Sequence, residues 1–236
     1  MKINFTKISI VLVLFLLTSC AVSVKLPTDY FENGNNKVGI IYTIDTNHIH
    51  RTGNQGLLDL MLTPGTKYYD LNERVRNDID LNDKVKDLYA QIFSKKAKDL
   101  ILINITEQEL NDLPSFKKTS TSTTTYFHKK DLQFLKQKGI DELLIVSVKY
   151  GILIDYYGFI ELSKNAICTI NSEIIDLSNN QIIYKDFSLL TKNLKIKADP
   201  SNKEFELDNK MFDGINNIIP ETFELEKNKF LKPKNN

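Results

Sequence analysis

The sequence is poor in the residues that build disulfide frameworks, metal centres and nucleic-acid-binding surfaces. Its 236 residues contain two cysteines, three histidines and three arginines, with a formal net charge of +1. Two cysteines are too few for a disulfide framework, and Cys168, which lies in an apolar run, is interpreted as a small buried hydrophobic residue. A nearly neutral chain with few guanidinium groups is a poor candidate for nucleic-acid binding, so no nucleic-acid partner is expected.

The sequence also contains no complete catalytic or cofactor-binding motif. The segment Gly53-Asn54-Gln55-Gly56 precedes an apolar run, and its backbone N–H groups could hold an anion at the start of a helix. It lacks the Gly-Lys-Ser/Thr ending of a phosphate loop and the third glycine of a dinucleotide fingerprint. These four residues are therefore ligand candidates, with a tight strand-to-helix connection as the alternative, and no cofactor is expected.

Two histidines lie close enough in the sequence to suggest a metal site. His48 and His50 are alternate residues, which point the same way on an extended segment, and Asp45 is near them. A metal site needs a third or fourth ligand, and the remaining histidine, His128, is far away in the sequence. A polar loop after a strand is therefore the preferred interpretation, and no bound metal is expected.

The amino terminus carries the most specific motif of the chain. Lys2 and Lys7 precede an apolar segment that is too short to span a bilayer stably, and Leu17-Thr18-Ser19-Cys20 follows. This arrangement resembles the signal peptide and lipobox of bacterial lipoproteins. The resemblance implies that 1–20 is a lipoprotein signal peptide and that Cys20 is acylated, so that fatty acids such as palmitate anchor the protein to a membrane. An ordinary secretory signal with an incidental cysteine is the alternative.

The residues that follow the lipobox predict where the protein resides and how its domain begins. Ala21 stands where an aspartate would retain an enteric lipoprotein in the inner membrane, so the resemblance implies an outer-membrane protein facing the periplasm. Residues 21–36 are expected to be a tether, which at ~3.5 Å per residue spans at most about 55 Å. One folded domain is expected over 37–231, with a disordered tail over 232–236.

The segment 139–190 organises the predicted fold. In its first apolar run the odd-numbered positions are mixed, whereas the even-numbered positions are all apolar: Leu144, Val146, Val148, Tyr150, Ile152 and Ile154. This period of two is typical of a strand with one buried face. Two further apolar runs, 166–177 and 182–190, follow turns that contain glycine or asparagine. The pattern predicts a three-stranded antiparallel meander whose apolar face needs a cover.

Amphipathic helices are predicted to supply that cover. Apolar residues recur at helical spacing in 81–98 and in 205–231, where Pro220 is expected to kink or split the helix. The shorter predicted elements are helices over 57–62 and 129–138 and strands over 37–44 and 100–105. The predicted fold is therefore an α/β (α+β) domain with a single mixed β-sheet of about five strands, which ends in the meander and is covered by amphipathic helices.

The order of these elements is similar to that of small α/β domains in envelope accessory proteins. These are the curli-secretion lipoprotein and the amino-terminal domain of the Tol-system propeller protein. The shared part is a helix ending in glycine, a buried strand and a long hairpin, here 132–155. The segment Tyr156-Tyr157-Gly158-Phe159 resembles one in uncharacterised bacterial lipoproteins. The resemblance implies an envelope protein and brings no known activity.

Tyr156, Tyr157, Gly158 and Phe159 are also the interaction candidates. Three aromatic side chains around a short turn cannot all point into one core, and exposed aromatic side chains suit a protein or glycan surface. The alternative is a hairpin tip that folds back over the sheet. We expect these residues to form an exposed aromatic contact, with glycine at the reversal because the backbone conformation there disfavours larger residues.

Three functional hypotheses follow from the sequence. The first is a non-enzymatic, lipid-anchored envelope lipoprotein that acts as a protein-interaction or accessory subunit. The second is a binding module for a small or polymeric envelope ligand, built from the loops at 53–56 and 156–159. The third is a hydrolase that uses Asp155 or Glu161, although strand ends often carry carboxylates without a catalytic role.

Overall fold

The computed structural model describes residues 23–32, 36–62, 67–94, 98–117, 125–196 and 204–231. The predicted signal peptide, the predicted acylation site Cys20 and the predicted tail at 232–236 lie outside these ranges. Within these ranges no helix is both long enough and apolar enough to cross a membrane.

A single mixed sheet of six strands forms the centre of the molecule, which confirms the predicted fold class. The strands are β1 (Val38–Ile44), β2 (Ile49–Asn54), β3 (Leu100–Leu102), β4 (Glu142–Tyr157), β5 (Ile160–Asp176) and β6 (Gln181–Asn193). Their order is β3-β1-β4-β5-β6, and β2 pairs with β4 beyond the end of β1. β4, β5 and β6 form the predicted antiparallel meander, whereas β1 and β2 run parallel to β4. We call the end of the sheet at Glu142 the lower end and the end at Tyr157 the upper end.

The helices of the described residues lie on both faces of this sheet and beside its upper end. They are α1 (Leu57–Leu62), α2 (Tyr69–Asp78), α3 (Asn82–Ser94), α4 (Glu107–Asp112), a 3₁₀ helix (Gln133–Lys138) and α5 (Glu204–Leu231). The apolar sides of α2, α3 and α5 form one core with the even-numbered residues of β4, which are buried as predicted. A smaller core lies on the opposite face at the lower end, where Leu132 and Leu135 pack on Leu143 and Ile175.

The structure differs from the predicted elements at several points. The segment around His50 was interpreted as a polar loop, but it belongs to β2, because its backbone pairs with β4. Helix α2 was not predicted, because Leu71 and Val75 are its only buried residues. Two apolar residues make too weak a stripe to indicate a helix from the sequence. The predicted helix over 129–138 is limited to the short 3₁₀ helix. Helix α5 continues through Pro220, so the proline does not split it.

The described part of the predicted tether packs on the domain. Val24 pairs with Lys185 at the edge of β6 through two backbone hydrogen bonds of 2.8 and 2.9 Å. Leu26 and Tyr30 are buried, and the Tyr30 hydroxyl donates to the carboxylate of Glu142 at the start of β4. The chain is therefore attached to the lower half of the sheet from Val24 onward, earlier than the sequence predicts.

A buried carboxylate fixes α5 to the sheet. Glu226 accepts hydrogen bonds from the hydroxyls of Tyr89 (2.9 Å), Ser172 and Ser188 (2.7 Å), which lie on α3, β5 and β6. Burial raises the pKa of Glu226, while these three donors oppose the increase. The cluster is a structural joint between layers, because each carboxylate oxygen already has a partner.

Candidate functional site

The hairpin between β4 and β5 ends in a tip whose side chains are mostly in solvent. Gly158 takes a left-handed backbone conformation, with φ of 59°, and this closes the reversal. Tyr157, Phe159 and Ile160 are 68%, 59% and 53% exposed. The sequence analysis expected three exposed aromatic side chains at this reversal, and two of them, Tyr157 and Phe159, are exposed.

Tyr156 is a correction to that expectation, because its side chain lies in the core. It is buried, and its hydroxyl donates to Glu161 Oε1 over 3.0 Å. The same carboxylate accepts a hydrogen bond from Tyr68 (2.8 Å) and forms ion pairs with Lys67 and Lys164 at 2.8 Å. Burial alone would raise the pKa of Glu161, but these donors hold it at about 2. Glu161 is thus an ionised support for the hairpin at neutral pH, which disfavours a role as a general acid.

The two ligand-candidate loops of the sequence meet at this tip. Gly158 N donates to Asn54 O, and Gln55 Nε2 donates to Gly158 O, both over 3.0 Å. Gly53 has φ of 103°, and a Cβ atom there would lie 1.9 Å from the carbonyl oxygen of Tyr156, so only glycine allows this approach. The amide of Gly56 donates to a carboxylate oxygen of Asp59, which occupies the place expected for a bound anion. These residues therefore join β2 and α1 to the hairpin.

Helix α1 follows directly, and its apolar side chains lie in solvent. Leu57, Leu58, Leu60, Met61 and Leu62 are all 50–79% exposed, and α1 buries none of its residues. Together with Tyr157, Phe159, Ile160 and Leu162 of the hairpin they form what we call the upper apolar surface. At roughly 80 Å² for each side chain, the nine residues expose on the order of 700 Å². The largest apolar patch of a typical monomer is about 300–600 Å², so this surface is unusually large.

His48 and His50 lie below the tip, where both side chains are part of the packing of the domain. Nδ1 of His48 and Nε2 of His50 lie 3.4 and 3.2 Å from the carbonyl oxygen of Tyr150, and both rings are buried. Burial lowers the pKa of both imidazoles. The backbone of His48 also approaches Gly151 so closely that a Cβ atom there would lie 2.0 Å from His48 O. Among the described residues no group of three or more His, Cys, Asp or Glu could hold a metal ion.

The remaining candidates have separate environments. Asp155 accepts a hydrogen bond from Thr52 Oγ1 over 3.1 Å, whereas Glu161 belongs to the cluster around Tyr68 and Tyr156. The two carboxylates are thus parts of different hydrogen-bonded groups. Cys168 is fully buried, and burial raises the pKa of its thiol to about 12, which disfavours a reactive thiolate.

The sequence missed that α1 belongs to the candidate site. Its signal was present: five of the six residues Leu57–Leu62 are apolar, and only Asp59 is polar. Such a composition is typical of a buried helix. Only the tertiary structure shows that α1 lies beside the hairpin tip with its apolar side chains exposed.

Comparisons with known proteins add little to this description. No protein-family model and no curated protein matches the chain. Among solved structures, lipoprotein GNA1162 from Neisseria meningitidis has 12% identity and a TM-score of 0.30, with 79% of this chain and 99% of that chain covered. A Xanthomonas campestris protein of the DUF330 family has 10% identity and a TM-score of 0.32, with 89% and 92% covered. A hypothetical protein from Chlamydia trachomatis has 9% identity and a TM-score of 0.30, with 84% and 99% covered. At these TM-scores the likeness is too low to transfer a function.

Proposed function

We propose that this protein is a lipid-anchored, non-enzymatic accessory protein of the bacterial cell envelope, which binds another protein through its upper apolar surface. The observation that carries the proposal is the surface itself: nine large apolar side chains, each at least half exposed, at one end of the sheet. Aromatic residues and methionine are enriched in the contact regions of protein interfaces. The surface is therefore suited to a protein partner.

The direction in which this surface points supports the same role. Val24 pairs with Lys185 on β6, Lys185 pairs with Glu173 on β5, and Glu173 pairs with Ile145 on β4. Tyr157 lies twelve residues further along β4, which corresponds to about 40 Å. Cys20 is three residue steps from Ser23 along the chain, a reach of at most about 11 Å. An anchor at Cys20 would therefore hold the lower half of the sheet near the membrane and direct the upper apolar surface away from it.

The alternative function is the binding of a small or polymeric ligand, for which a cleft lies beside β2. An open cleft of about 540 Å³ is lined by His50, Arg51, Tyr68, Tyr69 and Lys149, among others. It is more polar than the upper apolar surface and lies next to the residues that support the hairpin. A protein partner remains our proposal, because the cleft leaves the exposed apolar side chains unexplained.

Two alanine variants of neighbouring tyrosines test the proposal. Tyr157→Ala should leave the melting temperature nearly unchanged and weaken partner capture by about 2 kcal/mol, because an exposed contact residue is lost. Tyr156→Ala is the matched control, and it should cost about 3 kcal/mol of folding stability, because a buried aromatic ring is lost. The measurements are thermal melting and in-cell crosslinking followed by purification. A lowered melting temperature of Tyr157→Ala with undiminished capture would contradict the proposal.

A further inference from the structure

We infer that the upper apolar surface binds a second copy of this chain, so that anchored copies associate side by side at their upper ends. The inference rests on the proposed function, in which this surface is a protein-binding site. It adds the identity of the partner, and it follows from the charge of the surface, the place where the chain joins the sheet and the size of the apolar area.

The charge and position of the surface disfavour a lipid bilayer as its occupant. Helices that lie on membranes carry lysine and arginine on their polar side, because these attract anionic lipids. Helix α1 contains no basic residue, and its one polar residue is Asp59. The surface also lies about 40 Å along β4 from the level of Val24, whereas three residues of chain lead from Ser23 back to Cys20. The bilayer that holds Cys20 is thus at the opposite end.

Anchoring at one end favours contact between copies. All copies held through Cys20 stand in the same membrane with the same orientation, so their upper ends lie at the same height. Copies in this arrangement can be related by a rotation axis along the membrane normal, which is the cyclic symmetry of most homo-oligomers. Confinement to a membrane also raises the local concentration of one copy around another. A contact between upper ends therefore needs no change in how the protein is anchored.

The size and chemistry of the surface suit such a contact. An exposed apolar area on the order of 700 Å² is close to the ~800 Å² that each partner contributes to a standard interface. Interfaces between identical subunits are more apolar than other interfaces. The predicted mature chain has 29 basic and 30 acidic residues, since Lys2 and Lys7 fall in the signal peptide. Two copies consequently carry little net charge that would repel them.

Cysteine crosslinking of the anchored protein in vesicles tests this inference. The probe variant is Met61→Cys, on α1, where the side chain is 78% exposed. The matched control is Ser178→Cys, an exposed residue in the β5–β6 turn at the lower end. Cys168 is kept in all variants, because it is buried and is not expected to form the crosslink. Mild oxidation should link two copies through position 61 and produce at least ten times less linked protein through position 178. Leu58→Asp in the Met61→Cys protein should abolish the link.

A second measurement, on the Met61→Cys protein, distinguishes a lipid bilayer from a protein as the partner of the upper apolar surface. An environment-sensitive fluorophore on position 61 should be unaffected by spin-labelled lipids in the vesicles. Quenching by these lipids would overturn both the inference and the proposed function, because lipid would then cover the surface. A third outcome is that neither the link nor the quenching is seen and that a photo-crosslinker at position 61 joins a different envelope protein in cells. This outcome would overturn the inference that the partner is a second copy, but the proposed function would stand.

Discussion

The two turns of the meander have similar backbone geometry and opposite surroundings. In the upper turn Gly158 has φ of 59°, and in the lower turn Asn180 has φ of 63°. Asn180 is fully buried, and its side chain donates to the carbonyl oxygens of His128 and Lys130 and accepts from Leu132 N, over 2.9–3.0 Å. Gly158 has no side chain, and its neighbours point into solvent. The lower turn is thus closed by the protein itself, whereas the upper turn leaves its neighbours available for contact.

The same contrast extends across the two ends of the sheet. At the lower end the buried ammonium of Lys98 lies 3.1 and 3.2 Å from the carboxylate oxygens of Glu142. Glu142 also accepts from Asn36 Nδ2 over 2.8 Å and from the hydroxyl of Tyr30. These bonds join the amino-terminal segment to the sheet. The polar groups of this cluster are paired and shielded, while the upper end keeps apolar groups in water, which costs free energy unless a partner covers them.

The largest effect is expected from breaking the ion pair at the lower end. Glu142→Ala should lower the free energy of unfolding by about 3–5 kcal/mol, because it leaves the ammonium of Lys98 buried without a counter-charge. Urea unfolding measures this loss. The double variant Glu142→Leu with Lys98→Met is the control, and it should recover most of the stability, because neither charge remains. Wild-type stability of the Glu142→Ala protein would show that the ion pair between Lys98 and Glu142 does not stabilise the lower end.

The lower turn should respond less strongly than the ion pair. Asn180→Ala should cost about 3 kcal/mol, because it removes three buried hydrogen bonds and places alanine in a left-handed conformation. Asn180→Gly keeps the conformation accessible and should therefore cost about 1 kcal/mol less. Chemical unfolding of both variants separates the two contributions. Equal stability of wild type and Asn180→Ala would mean that the two turns do not differ as described.

The upper turn should respond least. Gly158→Ala should cost about 1 kcal/mol, because alanine resists the left-handed backbone. An added Cβ atom would lie 3.3 Å from a carboxylate oxygen of the half-buried Asp59, a close contact that a small shift of the Asp59 side chain can relieve. The loss is expected to be smaller than that of Asn180→Ala, since no buried bond is broken. A loss as large as that of Asn180→Ala in the same unfolding experiment would remove the distinction between the turns.

Much of the fold could be predicted because its signals are local. The alternation from Leu144 to Ile154 identifies β4 as a half-buried strand, and the apolar stripe from Val85 to Phe93 identifies α3. The strand β2 could not be predicted from its own residues. Arg51, Thr52, Gly53 and Asn54 are polar or small, and the segment is a strand because β4 offers a free edge beyond the end of β1.

The candidate site could be predicted only in part, for the same reason. The reversal at Gly158 is a local signal from which exposure of all three aromatic residues was expected, and Tyr157 and Phe159 are exposed. The burial of Tyr156 depends on Tyr68 and Glu161, and Tyr68 is distant in the sequence. The exposure of α1 likewise depends on which layers lie over it, which no pattern within Leu57–Leu62 contains.

We propose that an anchor at Cys20 and the upper apolar surface lie at opposite ends of the domain. Energy transfer from a donor fluorophore to acceptor lipids at the bilayer surface tests it most directly, with the acylated protein in vesicles. The donor is placed at Tyr157→Cys or, for reference, at Ser178→Cys, and Cys20→Ala should abolish retention on the vesicles. We expect markedly less transfer from position 157 than from position 178, because the proposed anchor would direct the upper turn away from the membrane. Equal or greater transfer from position 157 would show that the upper turn does not point away from the membrane.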